Sequence, residues 1–324
     1  MPKAIVMHET GGPDCLRFEE VTVGAPGPGQ VKLRQSAVGL NYIDVYVRTG
    51  ASALLDLPGT PGMEASGTVT AVGPDVTDLK PGDRVAYGTA LGSYAEERLA
   101  PADRMVKLPD AIDDRTGAAM MLKGMTAEYL LHRTTQVKPG DTILVQAAAG
   151  GVGLMLCAWA RHIGATVIGT AGGPEKVALA AAHGCDHPID YTAEDFAARV
   201  KEITDGRGVD KVFDGIGKAT FEGSFASLAP MGHLVSFGQA SGPVDPITIG
   251  MLGQKSATLS RPSLFHHTAK REDLLAIAGN LMDVVAKGIV KVEIEQTYPL
   301  AEAAQAHRDL EARKTTGSTV MLVD

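Results

Sequence analysis

Between Thr142 and Ile163 an apolar run, Thr142 to Ala148, passes through Ala149-Gly150-Gly151 into Val152, Leu156, Trp159 and Ile163, spaced by four, three and four residues. That pattern is a strand feeding an amphipathic helix. The unit recurs as strand Thr166 to Thr170 with helix Glu175 to His183, and strand Pro188 to Asp190 with a helix presenting Phe196, Val200 and Ile203. Strand Lys211 to Phe213, helix Thr220 to Leu228 and strand Leu234 to Phe237 complete the series. Parallel neighbours can be joined only by crossovers, so the repetition constrains the segment to a parallel sheet covered by helices.

The flanks read differently. Ala4 to Met7, Val31 to Val38 and Ala65 to Val72 are β-prone runs separated by turn clusters at 24–29 and 80–83, which predicts a β-rich domain. The last sixty residues contain a helix from Glu272 to Lys287, a shorter one from Leu300 to Glu311 and a final strand Thr319 to Val323, so the chain is expected to return to the first domain. The expected division is a β-rich domain from 1–122 and 262–324 around a parallel-sheet domain at 123–261.

Glycine accounts for 38 of 324 residues without a G-X-Y period, which excludes collagen and points to turns and close backbone approach to a ligand. A net charge of -8, with no long run of like charge, argues against nucleic acid as a partner. Cys15, Cys157 and Cys185 lie far apart and none forms a C-x-x-C pair, which fits a reduced cytoplasmic setting. No stretch reaches the ~18 apolar residues that span a bilayer, so no membrane partner is expected.

The turn Gln146 to Gly153 departs from the dinucleotide fingerprint G-x-G-x-x-G at one place: Ala148 holds the first position, Gly150 and Gly153 the second and third. Gly150, Gly151 and Val152 therefore open a helix whose N–H groups can meet a pyrophosphate. An acidic residue about 20 positions on would bind the ribose 2′-hydroxyl of NAD. Here the second strand runs into Gly172-Gly173-Pro174-Glu175-Lys176. The glycines leave room for a 2′-phosphate, Lys176 can neutralise it and Tyr191 can hydrogen-bond it, so NADPH is the expected cofactor. Lys176 also has the plain reading of a solvated lysine at a helix start.

GGPDCL (11–16), VGLNYIDVYVRTG (38–50), PGMEASGTVTAVG (61–73), LKGMTAEYLL (122–131), QAAAGGVG (146–153), VSFGQASG (235–242), SRPSL (260–264) and EARKTTGS (311–318) occur in order along the chain. Together they resemble the zinc-free NADPH quinone oxidoreductases of the medium-chain dehydrogenase/reductase superfamily, the bacterial quinone reductase and ζ-crystallin group. The resemblance implies an α/β fold with a GroES-like β-rich catalytic domain and a doubly wound Rossmann domain. Zinc-dependent members carry G-H-E-x-x-G, whereas here Met63 stands in Gly62-Met63-Glu64, and a ligand cysteine is missing from the Gly39 to Tyr42 region. No metal is expected, so the acceptor should be intrinsically electrophilic, a quinone or an α,β-unsaturated carbonyl.

The same resemblance places Asn41, Ile43, Asp44 and Tyr46 near the nicotinamide, with Asn41, Asp44 and Tyr46 as catalytic candidates. Tyr46 has a second reading as a buried aromatic whose hydroxyl bonds backbone. Thr126, Tyr129, Phe237, Gly238, Gln239, Ala240, Leu264 and Arg313 match cofactor contacts; Arg313 has a lesser, second reading as an exposed helix-end charge. The pair His266-His267 lacks further ligands and is not read as a metal site. The implied activity is NADPH-dependent reduction of a quinone. An alkenal or enoyl reductase and a NADPH-binding structural or RNA-binding crystallin-like protein are the alternatives. A homodimer is implied, its sheets meeting edge to edge near Leu234 to Phe237.

Overall fold

The computed structural model describes residues 1–323. In chain order the strands are β1 (Lys3–Val6), β2 (Arg17–Glu20), β3 (Gln30–Leu40), β4 (Glu64–Val72), β5 (Arg84–Tyr87), β6 (Glu97–Pro101), β7 (Val106–Lys107), β8 (Thr142–Val145), β9 (Thr166–Ala171), β10 (His187–Asp190), β11 (Val209–Asp214), β12 (Leu228–Ser236), β13 (Thr258–Ser260), β14 (Ile294–Pro299) and β15 (Ser318–Leu322). The principal helices are α1 (Tyr42–Thr49), α2 (Asp114–Glu128), α3 (Gly151–Ile163), α4 (Pro174–Ala182), α5 (Phe196–Ile203), α6 (Phe221–Ala226), α7 (Arg271–Ala286) and α8 (Ala303–Glu311). The chain divides into one unit of 1–125, 268–282 and 292–324 and a second of 126–267 and 283–291. Among the described residues no helix is long and apolar enough to cross a membrane.

The first unit is built on a mixed sheet ordered β14-β15-β3-β4-β5-β7, with β6 also pairing β3. The C-terminal strand is internal to it: β15 pairs antiparallel with β3, Thr319 opposite Leu40 and Met321 opposite Val38. Its core gathers Ile5, Leu33, Val69, Tyr87 and Met105 with Leu300 and Ala306 from the C-terminal segment. Gly39 on β3 has a specific reason to lack a side chain. A Cβ there would lie 2.2 Å from the Ala118 carbonyl of α2 and 2.4 Å from the Glu64 carboxylate.

The second unit holds a six-stranded sheet, every neighbouring pair of which is parallel, in the order β10-β9-β8-β11-β12-β13. Numbered within the unit this is 3-2-1-4-5-6, the doubly wound dinucleotide-binding order, and it follows from the βα repetition read in the sequence. Leu144, Ile168, Val212 and Leu234 from the sheet pack with Val200, Phe221 and Phe225 from helices.

Three elements differ from the sequence reading. The 42–49 segment is a helix, α2 occupies 114–128, and β14 adds a strand at 294–299. All three lie where short, mixed apolar patterns carry no clear period. The strand expected at Leu234 to Phe237 begins at Leu228 and is paired on both sides, with β11 and β13. It therefore has no free edge for another sheet, and β13 ends the sheet instead.

Gly153 packs α3 against the preceding turn: an added Cβ would sit 2.2 Å from the Ala147 carbonyl. Gly153→Ala is expected to destabilise the protein by about 1–3 kcal/mol through overpacking, read as a lowered thermal midpoint by circular dichroism.

Candidate functional site

In the second unit the expected contacts gather at the carboxyl ends of the parallel strands. β8 leads into a turn in which Gly150 caps α3. The turn's left-handed residue is Ala147, with φ 53°, one position before the Ala148 that stands at the first place of the fingerprint. An alanine held there costs roughly 1–2 kcal/mol and must be over-determined by its surroundings. Those surroundings are a buried polar chain. Thr170 Oγ1 donates to Gln146 Oε1 at 2.6 Å, Gln146 Nε2 to Ser224 Oγ at 3.0 Å, and Ser224 Oγ to Asp214 Oδ2 at 2.8 Å. Asp214 also accepts from Thr220 Oγ1 and from the backbone N–H groups of Ile216 and Gly217. Gln146, Thr170, Asp214 and Ser224 carry no motif, and only their burial together marks them.

At the end of β9, Gly172 lies against Tyr191: a Cβ on Gly172 would be 2.6 Å from the tyrosine oxygen. Gly173 takes φ 86° and ψ 160°, a conformation open only to glycine, and caps α4. Its N–H donates to Asp190 Oδ1 at 3.0 Å, which also accepts from Thr192 Oγ1 at 2.6 Å. These bonds from Thr192 and Gly173 hold the Asp190 carboxyl below its ordinary range. Lys176 lies half-buried in the first turn of α4. The corner thus sets Gly172 against Tyr191 and Gly173 against Asp190, with Lys176 in the next helical turn and a carboxylate at the end of β10 rather than β9.

After β12, Phe237 to Ala240 form a fixed loop. Arg261 donates to the carbonyls of Ser236 and Gly238 at 2.8 and 2.9 Å and reaches Gln239 Oε1 at 3.4 Å. Gly238 leaves no room for a Cβ, which would stand 2.4 Å from the Gly215 carbonyl. Thr126 and Leu264 are buried, and buried Tyr129 stacks on His267 with ring centroids 4.5 Å apart.

In the first unit, Asn41, Ile43, Asp44 and Tyr46 share the start of α1. Asn41 is the cap and its N–H donates to Asp44 Oδ2 at 2.9 Å. Ile43 and Tyr46 are half-buried, and the Tyr46 ring meets Tyr42 edge-on at 5.3 Å. Arg313 follows α8 with φ 58°. It is close enough to Tyr42 to offset part of that hydroxyl's upward shift, which burial and Glu311 cause.

Sequence reasoning missed two buried groups around this helix. The first is Glu64, wholly buried. It accepts from Asn41 Nδ2 at 2.8 Å, Leu122 N at 2.8 Å and Lys123 Nζ at 2.9 Å. The two segments whose zinc ligands are replaced, 39–42 and 62–64, are joined by this Asn41–Glu64 bond. The second is a line from Asp44 to His307. Tyr94 donates to Asp44 Oδ2 at 3.0 Å, and His307 Nε2 lies 3.0 Å from the same hydroxyl. With its hydrogen given to Asp44, the tyrosine can only accept, so His307 carries its hydrogen on Nε2. Arg48, buried, forms a two-pronged bond to Glu311 at 2.8 Å.

Family models described as alcohol dehydrogenase GroES-like domain and zinc-binding dehydrogenase match residues 27–110 and 151–278. The chain is 47% identical to a quinone oxidoreductase of Pseudomonas aeruginosa, covering 99% of this chain and 100% of the relative. The crystal structure of Escherichia coli quinone oxidoreductase complexed with NADPH superposes with a TM-score of 0.96 at 41% identity, over 99% of both chains. This chain belongs to the quinone oxidoreductase family. A 2-haloacrylate reductase from Burkholderia is 46% identical over 99% of both chains, so the family includes a member named for another acceptor. The zinc-binding description belongs to the wider superfamily. In this member of the quinone oxidoreductase family Met63 is buried, and among the described residues no three His, Cys, Asp or Glu groups converge to hold a metal ion.

The two titrating ends of the Asp44–His307 line pull in opposite directions. Burial pushes the Asp44 carboxyl up from 3.8 to about 7, so between those values the folded chain keeps a proton that the unfolded chain has lost, and stability falls as pH rises. Burial and Arg48 push His307 down from 6.5 to about 3, so there the unfolded chain binds the extra proton and stability rises with pH. His307→Gln removes the second effect. Relative to the unaltered protein its denaturation midpoint should fall behind as pH rises from about 3 to about 6.5, by at most ~1.4 kcal/mol per pH unit. Urea titrations across that range measure it.

Proposed function

We propose that this protein is an NADPH-dependent quinone oxidoreductase that acts without zinc. The observation that carries the cofactor choice is the corner after β9. No carboxylate stands at the end of β9 itself to take a ribose 2′-hydroxyl, and the Asp190 carboxylate at the end of β10 is engaged by the Gly173 N–H and Thr192, while Gly172 and Gly173 carry no side chain to fill the corner that Lys176 and Tyr191 border. The NADPH bound in the Escherichia coli relative supports the same reading. The first turn of α3 would meet the pyrophosphate through the N–H groups of Gly151 and Val152, at the positive end of the helix dipole. When bound, the cofactor supplies the hydride.

The protein's own contribution is to bind and orient. Asn41 and Tyr46 are proposed to hold the reacting groups, and Phe237 to Ala240 to form a rigid wall braced by Arg261. A zinc ligand position filled by Met63 leaves no Lewis acid to stabilise an alkoxide, which favours a quinone, whose reduced anion is delocalised. The relative named 2-haloacrylate reductase favours a second reading, reduction of an activated carbon–carbon double bond. NADPH oxidation measured with a panel of 1,4-quinones and a panel of 2-enals separates the two; turnover confined to the enals would overturn the quinone assignment.

Quinone reduction with NADPH should be at least about tenfold more efficient than with NADH, the equivalent of one charge-assisted hydrogen bond. Lys176→Ala should remove most of that preference by lowering kcat/KM for NADPH and leaving NADH nearly unchanged. Equal use of both cofactors by the unaltered protein would refute the choice.

The protein is further proposed to work in the cytoplasm, where its three buried free thiols stay reduced, and as a homodimer. Because β13 ends the six-stranded sheet, sedimentation equilibrium at micromolar concentration should give twice the chain mass. A monomer mass would refute the dimer.

A further inference from the structure

Glu64 is wholly buried on β4, and its Oε2 accepts from both Asn41 Nδ2 at 2.8 Å and Lys123 Nζ at 2.9 Å. Its other oxygen accepts from the Leu122 N–H at 2.8 Å. A carboxylate facing an ammonium offers acceptor oxygens only. The Asn41 atom turned toward it must therefore be the NH2 group, which also points toward the Gly39 carbonyl at 3.5 Å. On its other side the Asn41 carbonyl oxygen faces the Asp44 N–H in the capping box of α1, and an amide turned over would exchange donor for acceptor at both places. Beside Glu64 that reversal would place the Asn41 carbonyl oxygen against a carboxylate, an unfavourable pairing in a site where water cannot compensate.

We infer that Glu64, braced by Lys123, is a positioning residue that locks the Asn41 amide so that its carbonyl oxygen is the atom offered to a bound ligand. The group taken by Asn41 is then a hydrogen-bond donor, such as a ribose hydroxyl or a carboxamide NH2, and not an acceptor oxygen awaiting a proton. In that orientation Asn41 does not hand a proton to the reduced quinone. This rests on the proposed role of Asn41 in the NADPH site. It assigns to the buried pair a job beyond holding β4 against α2, and it explains why a costly buried ion pair is placed beside the cap of α1.

The first measurement leaves the protein unaltered. With asparagine selectively labelled with 15N, one side-chain NH2 resonance, identified by its absence from Asn41→Ala, should exchange slowly with solvent and keep that protection when NADPH is added. Loss of protection on adding NADPH would show the NH2 turning to the ligand and would overturn the inference. The second uses variants. Glu64→Gln, whose amide tolerates either orientation of Asn41, should weaken NADPH binding by about tenfold, as one lost hydrogen bond between neutral groups does at most. Asn41→Ala should weaken it similarly, and the double variant should be no weaker than either single one. Additive losses, or an effect of Asn41→Ala with none of Glu64→Gln, would overturn it. Lys123→Arg, which keeps the cation, should retain affinity, whereas a merely structural pair would lower thermal stability without this pattern in Kd. Failure of the unaltered protein to bind NADPH would instead refute the cofactor reading on which the inference stands.

Discussion

A carboxylate taken wholly out of water must be met by donors or it destabilises the fold, and Glu64 meets that demand with three. Each donor comes from a different place: the cap of α1, the backbone of α2 and the Lys123 side chain. One buried charge thus ties β4 to both helices. Gly39 completes the arrangement by lacking a side chain where α2 and the Glu64 carboxylate come nearest to β3. Removal of either partner of the Glu64–Lys123 pair would leave an uncompensated buried charge, which is why such pairs resist piecemeal change.

The second unit solves a different problem with neutral groups. Its turn after β8, which leads into the cap of α3, puts Ala147 in a left-handed conformation. The bonds from Thr170 to Gln146 to Ser224 to Asp214 hold the turn from behind. Strain at Ala147 is offset by full hydrogen bonding one layer below, with the acceptor of the chain, Asp214, at the end of the central strand β11.

The legibility of these features in the sequence was uneven for physical reasons. The βα alternation from Thr142 onward was readable because parallel strands and crossover helices each impose a period, and the 3-2-1-4-5-6 order is among the few that short right-handed connections allow. Gly153 and Gly172 were readable because close neighbours leave no room for a side chain, and Gly173 because its φ of 86° favours glycine. Helix α1 was not, being eight residues long with its apolar positions interrupted by the buried Asp44 and Arg48. Glu64, Tyr94, His307 and Lys123 were not readable either. Their partners lie tens to hundreds of residues away, and an isolated polar residue in a sequence has the same appearance whether it is solvated or paired in a core.

The sequence by itself determined the parallel-sheet unit, the glycine-lined turns, the missing zinc ligands and, through ordered motifs spanning the chain, the family. Those properties follow from periodicity and from residue types that local geometry demands. The tertiary structure alone decided which strand ends the sheet, which alanine bears the strain of the turn, and which way the Asn41 amide faces. Each of these depends on partners brought together across the chain: β13 beside β12, Thr170 behind Ala147, and Glu64 against Asn41. A hydrogen bond between side chains distant in sequence leaves no period to read.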